Sequence, residues 1–177
     1  MARAKKTPGR TKTTKRAAKP GRRRGSGRVI ELRTSVRASP QTAWSAVATA
    51  PGLVRWYARD AQIDPQTGGA YRFGWGDATA TGEVTAATPG TRLELSWHHG
   101  TRVSLRLARR HGGRETVVTV RHEGIATGPA GVELYAQLRQ GWTFALVNLK
   151  SVVERGIDLR EKDRRRTFAK GWANCWD

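Results

Sequence analysis

The hydrophobic period of this chain changes after Glu123, and that change limits the folds open to it. Between Ala70 and Glu123 apolar residues recur at every second position. They are Tyr71, Phe73 and Trp75 in AYRFGWG, Leu93, Leu95 and Trp97 in TRLELSWH, Val103, Leu105 and Leu107 in RVSLRLA, and Val118, Val120 and His122 in ETVVTVRHE. Alternation over short runs predicts half-buried strands. Turn signals separate them: Pro89-Gly90, Gly100 and the run His111-Gly112-Gly113, whose glycines tolerate positive φ. Short strands joined by tight turns make an antiparallel sheet with one wet face. From Gly131 the period becomes three and four, with Tyr135, Leu138, Trp142, Ala145, Leu146, Leu149, Val152 and Val153 in one stripe. This predicts an amphipathic helix of roughly 25 residues. Its polar side carries Arg139, Asn148, Lys150 and Glu154, and Gly156 is its C-cap.

Upstream, VIELRTSVRAS (29–39) alternates as another strand, with Ile30, Leu32, Thr34 and Val36 on one face. Ser39 is an N-cap and Pro40 the first residue of a short helix that buries Trp44 and Val47. PGLVRWYA (51–58) starts a second short helix presenting Leu53, Trp56 and Tyr57. The order of strand, two short helices, antiparallel strands and one long helix is α+β. Sheet face and helix stripe are both buried if the sheet curves around the helix. Such a grip closes imperfectly, and the space left between the two is the default ligand site.

The 177 residues suit one domain plus a tail. The formal charge is +19, and residues 1–28 hold twelve Lys or Arg and no acid, leaving twenty-one bases against fourteen acids in the rest. Residues 1–28 lack any apolar side chain larger than alanine after Met1, so they are expected to be a disordered basic tail. Lys5, Lys6, Arg10, Lys12, Lys15, Arg16, Lys19, Arg22, Arg23 and Arg24 are the candidate contacts to nucleic acid, acting through counterion release from phosphates. No aromatic is interleaved among them, so base stacking is not expected. The alternatives are a solvated extension of no consequence and an artefact of the start site, with the fold beginning at Val29. Pro8, Gly9, Pro20 and Gly21 break any amphipathic presequence, and the segment has no apolar signal core. No apolar run is long enough to span a membrane. The single cysteine, Cys175, excludes an internal disulfide and suits a reducing compartment, so a soluble cytoplasmic protein is expected. Residues 159–177 are charged and then aromatic, and Trp172 and Trp176 are expected to pack this extension onto the domain.

The candidate ligand-binding residues are the inward aromatics Trp56, Phe73, Trp75, Trp97 and Trp142, with Leu146 and His122. Aromatic rings also fill cores, so each has two readings: packing, or the wall of a pocket that stacks a flat apolar molecule. His122 is in phase with Val118 and Val120 and points inward, whereas Glu123 points out. His122 is either satisfied by a hydrogen bond or a titratable polar anchor. His98 and His99 are adjacent rather than spaced as a metal pair on one face, and Cys175 has no identifiable base. The sequence has no Gly-x-Ser-x-Gly elbow, phosphate loop or dinucleotide fingerprint. No catalytic residue, metal or cofactor is assigned. A cyclase- or hydrolase-like activity on scattered pocket residues stays open.

Six blocks carry a resemblance: VRASPQTAWSAVATAPGLVRWYA (36–58), GGAYRFGWGD (68–77), TGEV (81–84), LELSW (93–97), TVRHEG (119–124) and GWTFALVNLKSVVERGIDLR (141–160). In this order the chain from Val29 to Asp158 resembles the SRPBCC superfamily, the START-like helix-grip proteins. More narrowly, it is similar to the group named after the activator of the ninety-kilodalton heat-shock chaperone ATPase. The resemblance implies a helix-grip domain over 29–158 and leaves the tail outside it. It implies two partners, a small hydrophobic ligand of the kind related proteins bind or a heat-shock chaperone. Eukaryotic chaperone activators have two domains, and this chain carries only the helix-grip one. Fold alone does not decide between these partners.

Overall fold

The first strand, β1 (Arg28–Val36), runs straight into a turn where the Ser39 side chain accepts the Thr42 amide at 3.1 Å and starts α1 (Pro40–Ala48). The computed structural model describes residues 27–76, 78–163, 165–166 and 170–171. The tail candidates up to Arg24, and Phe168, Trp172, Cys175 and Trp176, lie outside the described residues. Helix α2 (Ala50–Trp56) follows at once, with Thr49 accepting the Gly52 amide at 3.1 Å. Gly52 is required there, because a Cβ would lie 2.0 Å from the Ser45 carbonyl oxygen of α1. Ala43, Val47 and Ala48 form the buried side of α1. Trp44, expected to be buried, is only half-buried and packs at the margin of the core, while its neighbour Ala43 is buried.

The remaining strands are β2 (Asp60–Ile63), β3 (Ala70–Gly74), β4 (Thr79–Thr88), β5 (Arg92–Ser96), β6 (Arg102–Arg110) and β7 (Glu115–Ile125). They form one antiparallel sheet in the order β1-β7-β6-β5-β4-β3-β2. β2 to β7 are therefore a meander, and β1 closes the far side against the last strand, Leu32 opposite Val120. A bulge in β4 between Val84 and Ala86 adds local bend. Helix α3 (Pro129–Arg155) lies across the concave face and ends at Gly156, whose φ of 72° sets the left-handed cap. The architecture is thus α+β, a curved antiparallel sheet gripping a long helix with two short helices after the first strand.

Asn148 departs from expectation. It was placed on the polar side of α3 but is fully buried. Its amide donates to the Trp56 carbonyl at 2.7 Å and to Asp158 at 3.1 Å, and its oxygen accepts the Leu159 amide at 2.7 Å. Arg160 completes the junction by donating to the carbonyls of Ala58 and Val54, both at 2.7 Å, while pairing with Asp158. The unpaired carbonyls at the end of α2 thereby find donors from the segment after α3. This junction fixes α2, and with it Trp56 and Tyr57, against α3.

Candidate functional site

One small cavity, of about 10 Å³, lies between sheet and helices. It is bordered by Val47, Leu53, Trp56, Tyr57, Phe73, Leu95, Trp97, Leu105 and Trp142. Of the seven residues expected to bind ligand, Trp56, Phe73, Trp97 and Trp142 meet at this gap. Trp75, His122 and Leu146 are buried around it without bordering it. The candidate list left out Val47, Leu53, Leu95 and Leu105 and one aromatic, Tyr57, although Tyr57 was read as presented by α2. Its ring stacks on Trp142 with centroids 5.5 Å apart and planes 9° from parallel. It meets Phe73 at 5.8 Å and Trp75 at 5.3 Å edge-on. Trp97 adds a tilted contact to Phe73 at 6.3 Å and to Trp142 at 6.4 Å. These separations are the favoured range for aromatic pairs.

The polar atoms of Trp56, Trp75 and Tyr71 are bonded to backbone carbonyls. Trp56 donates to the Ala46 carbonyl at 2.9 Å, Trp75 to the Tyr57 carbonyl at 2.7 Å, and the Tyr71 hydroxyl to the Ser96 carbonyl at 2.6 Å. Burial pushes the Tyr57 and Tyr71 phenols upward, so both stay neutral. What faces the gap is ring surface and aliphatic carbon. A gap of this volume is at the lower limit for a single water and offers it no polar partner, so it is dry.

His122 stands behind the cavity wall and is fully buried. Trp142 Nε1–H donates to its Nδ1 at 3.2 Å, and its Nε2 lies 2.9 Å from the Thr101 hydroxyl. That hydroxyl in turn donates to the His98 carbonyl at 2.7 Å. The directions are therefore fixed: Nε2 carries the proton, donates to Thr101, and Nδ1 accepts. Both nitrogens of a neutral imidazole are used, and burial lowers the pKa from 6.5 to about 4. Glu123 is on the outer face, paired with Arg121 at 3.1 Å.

A wider, open groove of about 630 Å³ runs between the end of β1 and α3, past Arg37, Val147, Lys150 and Glu154. Its charges join the two elements: Lys150 donates to the Ser35 carbonyl at 2.7 Å and to Glu154 at 2.6 Å, and Glu154 accepts the Arg37 amide at 2.8 Å. Among the described residues no group of three or more His, Cys, Asp or Glu side chains is placed to hold a metal ion. No helix among them is long and apolar enough to cross a membrane.

Comparison with solved structures places this geometry among known folds. The protein SSP2350 from Staphylococcus saprophyticus superimposes with a TM-score of 0.66 at 16% identity, over 75% of this chain and 96% of that one. The Aha1 dimer from Colwellia psychrerythraea matches with a TM-score of 0.63 at 23% identity, over 72% and 97%. DynU16, a protein in the dynemicin biosynthetic locus, matches with a TM-score of 0.62 at 25% identity, over 72% of this chain and 48% of its own. No curated protein matches the chain. The family model described as activator of Hsp90 ATPase homolog 1-like protein matches residues 37–154, from the end of β1 through α3. The chain belongs to that family, within the helix-grip fold.

Proposed function

We propose that this domain is a non-catalytic binding protein for a small, flat, apolar molecule held between the sheet and α3. One observation carries the proposal: an apolar gap whose walls are the faces of Trp56, Tyr57, Phe73, Trp97 and Trp142, with the N–H groups of Trp56, Trp75 and Trp142 directed to protein acceptors. Such walls recognise by stacking and apolar contact. In the closed state the gap of about 10 Å³ is too small for an organic molecule, so binding requires a ring to move. Trp97 is assigned that movement, because the other four wall rings are buried. It is half-buried, it follows the end of β5, and it leads into the turn His98–Gly100, where His99 has a φ of 57°. His122 supports the Trp142 ring from behind rather than touching the ligand.

The test is a titration of the full chain with 1-anilinonaphthalene-8-sulfonate, reading probe emission and tryptophan quenching. Saturable binding that tightens in Trp97→Ala, as the gap is enlarged, is the expected result. Absence of saturable binding in both proteins would remove the proposal.

A second reading rests on the family itself, whose model spans residues 37–154: a co-regulator of a heat-shock chaperone. The steady-state ATPase rate of the chaperone, measured with and without the full chain, tests it directly. An unchanged rate counts against it.

A further inference from the structure

The outer face of the sheet is wet, and its charge is unevenly placed. Register puts Arg33 of β1, Thr119 of β7, Arg106 of β6 and Arg92 of β5 in one row across the strands. Toward the β6–β7 hairpin the same face adds Arg110, and the hairpin itself carries Arg109 and Arg114, all exposed. These six arginines span four strands, roughly 15 Å at the usual strand spacing. Two of the six are paired, Arg92 with the buried Glu94 and Arg33 with the exposed Glu31 at 2.6 Å, while Glu115 is partly covered and faces His111. Arg106, Arg110 and Arg114 make no ion pair among the described residues. The other half of the face is neutralised, with Arg121 against Glu31 and Glu123, and Arg102 against Glu123.

Two further features say what this patch suits. Every cation on it is arginine, whose planar fork binds phosphate oxygens in pairs. The chain does not avoid lysine elsewhere, since Lys5, Lys6, Lys12, Lys15 and Lys19 occur in the segment leading into β1. Residues 1–26, which precede β1 in sequence, hold eleven further bases and no acid. The exposed large apolar side chains are Val54, Val132, Val147, Ile157 and Leu159, on α2, on α3 or after it, and none is on this face. A membrane surface site would need such side chains to insert, and a single-stranded nucleic acid site would need exposed rings for stacking.

We propose that the Arg33–Arg106–Arg92 row and the arginines of the β6–β7 hairpin dock the phosphate backbone of duplex DNA without reading its sequence. The patch lies on the sheet face away from α3, so this contact is independent of the aromatic cavity. Its affinity comes from counterion release and falls with salt.

The experiment measures anisotropy of a fluorescein-labelled random-sequence DNA duplex with the full chain over a range of salt concentrations. The expected log–log salt slope is several units. Arg106→Gln, at an exposed site without an ion pair, should lower that slope by about 1 with the basic segment intact. The combined Arg33→Gln, Arg106→Gln, Arg110→Gln variant should lower it by about 3. Matching urea midpoints show that the variants are folded, and the single variant decides if the triple is not. An unchanged slope in Arg106→Gln assigns binding to the preceding segment alone and overturns the proposal. Absence of binding at low salt overturns it too, as does preference for phosphatidylserine vesicles or duplex RNA over the DNA.

Discussion

Lowering the pH from 7 to 5 should cost the domain about 2 kcal/mol of stability, and His122 should account for most of it. The unfolded imidazole takes its proton near pH 6.5, whereas burial lowers the folded value to about 4. Between those two values the unfolded state binds more protons than the folded one, so stability rises with pH through this window and is level above it. At pH 5 the loss is about 2 kcal/mol, approaching about 3 kcal/mol near pH 4. The geometry gives the cause. Protonation would put a proton on Nδ1, where the Trp142 N–H already points from 3.2 Å, and two donors would face each other in a fully buried site. The depressed carboxylates act lower on the scale. Glu154 is held down by the hydrogen bond from Lys150, and Asp158, which burial alone would raise, is held down by Arg160. Their contributions are lost only as the pH falls below the ordinary carboxylate range. Urea unfolding followed by tryptophan fluorescence at pH 7, 6 and 5 measures the effect. His122→Gln should be less stable at pH 7 but nearly level across the window. A native chain equally stable at pH 7 and pH 5, or a His122→Gln variant with the same pH dependence, would refute the reasoning.

Other substitutions test the supports of the site. Trp142→Ala removes a buried ring and the donor to His122, and should cost about 3–5 kcal/mol in the same unfolding assay. Asn148→Leu leaves the Trp56 carbonyl and the Leu159 amide without their partner and should cost about 3 kcal/mol. It should also speed amide exchange at Leu159. Gly52→Ala forces a Cβ against the Ser45 carbonyl and should lower stability by about 2 kcal/mol or separate α1 from α2. A melting temperature equal to that of the native chain would mean the two helices are not in close contact.

Most of the fold was legible because alternation and helical spacing record which side chains face inward. The phase of Val118, Val120 and His122 placed the imidazole in the core, and the stripe through Trp142, Leu146 and Leu149 placed the long helix. Asn148 shows the limit. It lies three residues after Ala145 and four before Val152, so spacing alone puts it on the buried stripe, and its polarity argued otherwise. Its partners, Trp56, Asp158 and Leu159, come from two other segments, and no local pattern reports a hydrogen bond across the fold. Tyr57 was seen next to Trp56, but its role depends on how α2 turns against Trp142, which one helical turn of sequence does not encode. The outer arginine row was invisible for the same reason, since Arg33, Arg92 and Arg106 meet only through strand register.

The central claim is that the aromatic gap opens around a small apolar molecule. Native mass spectrometry of the full chain purified from its source cell, set against the denatured mass, tests it most directly. A bound apolar molecule predicts an excess mass that disappears on denaturation and is retained in Trp97→Ala. The bare polypeptide mass under native conditions, with no adduct after incubation with naphthalene, would mean that the rings form a filled core and would contradict the claim.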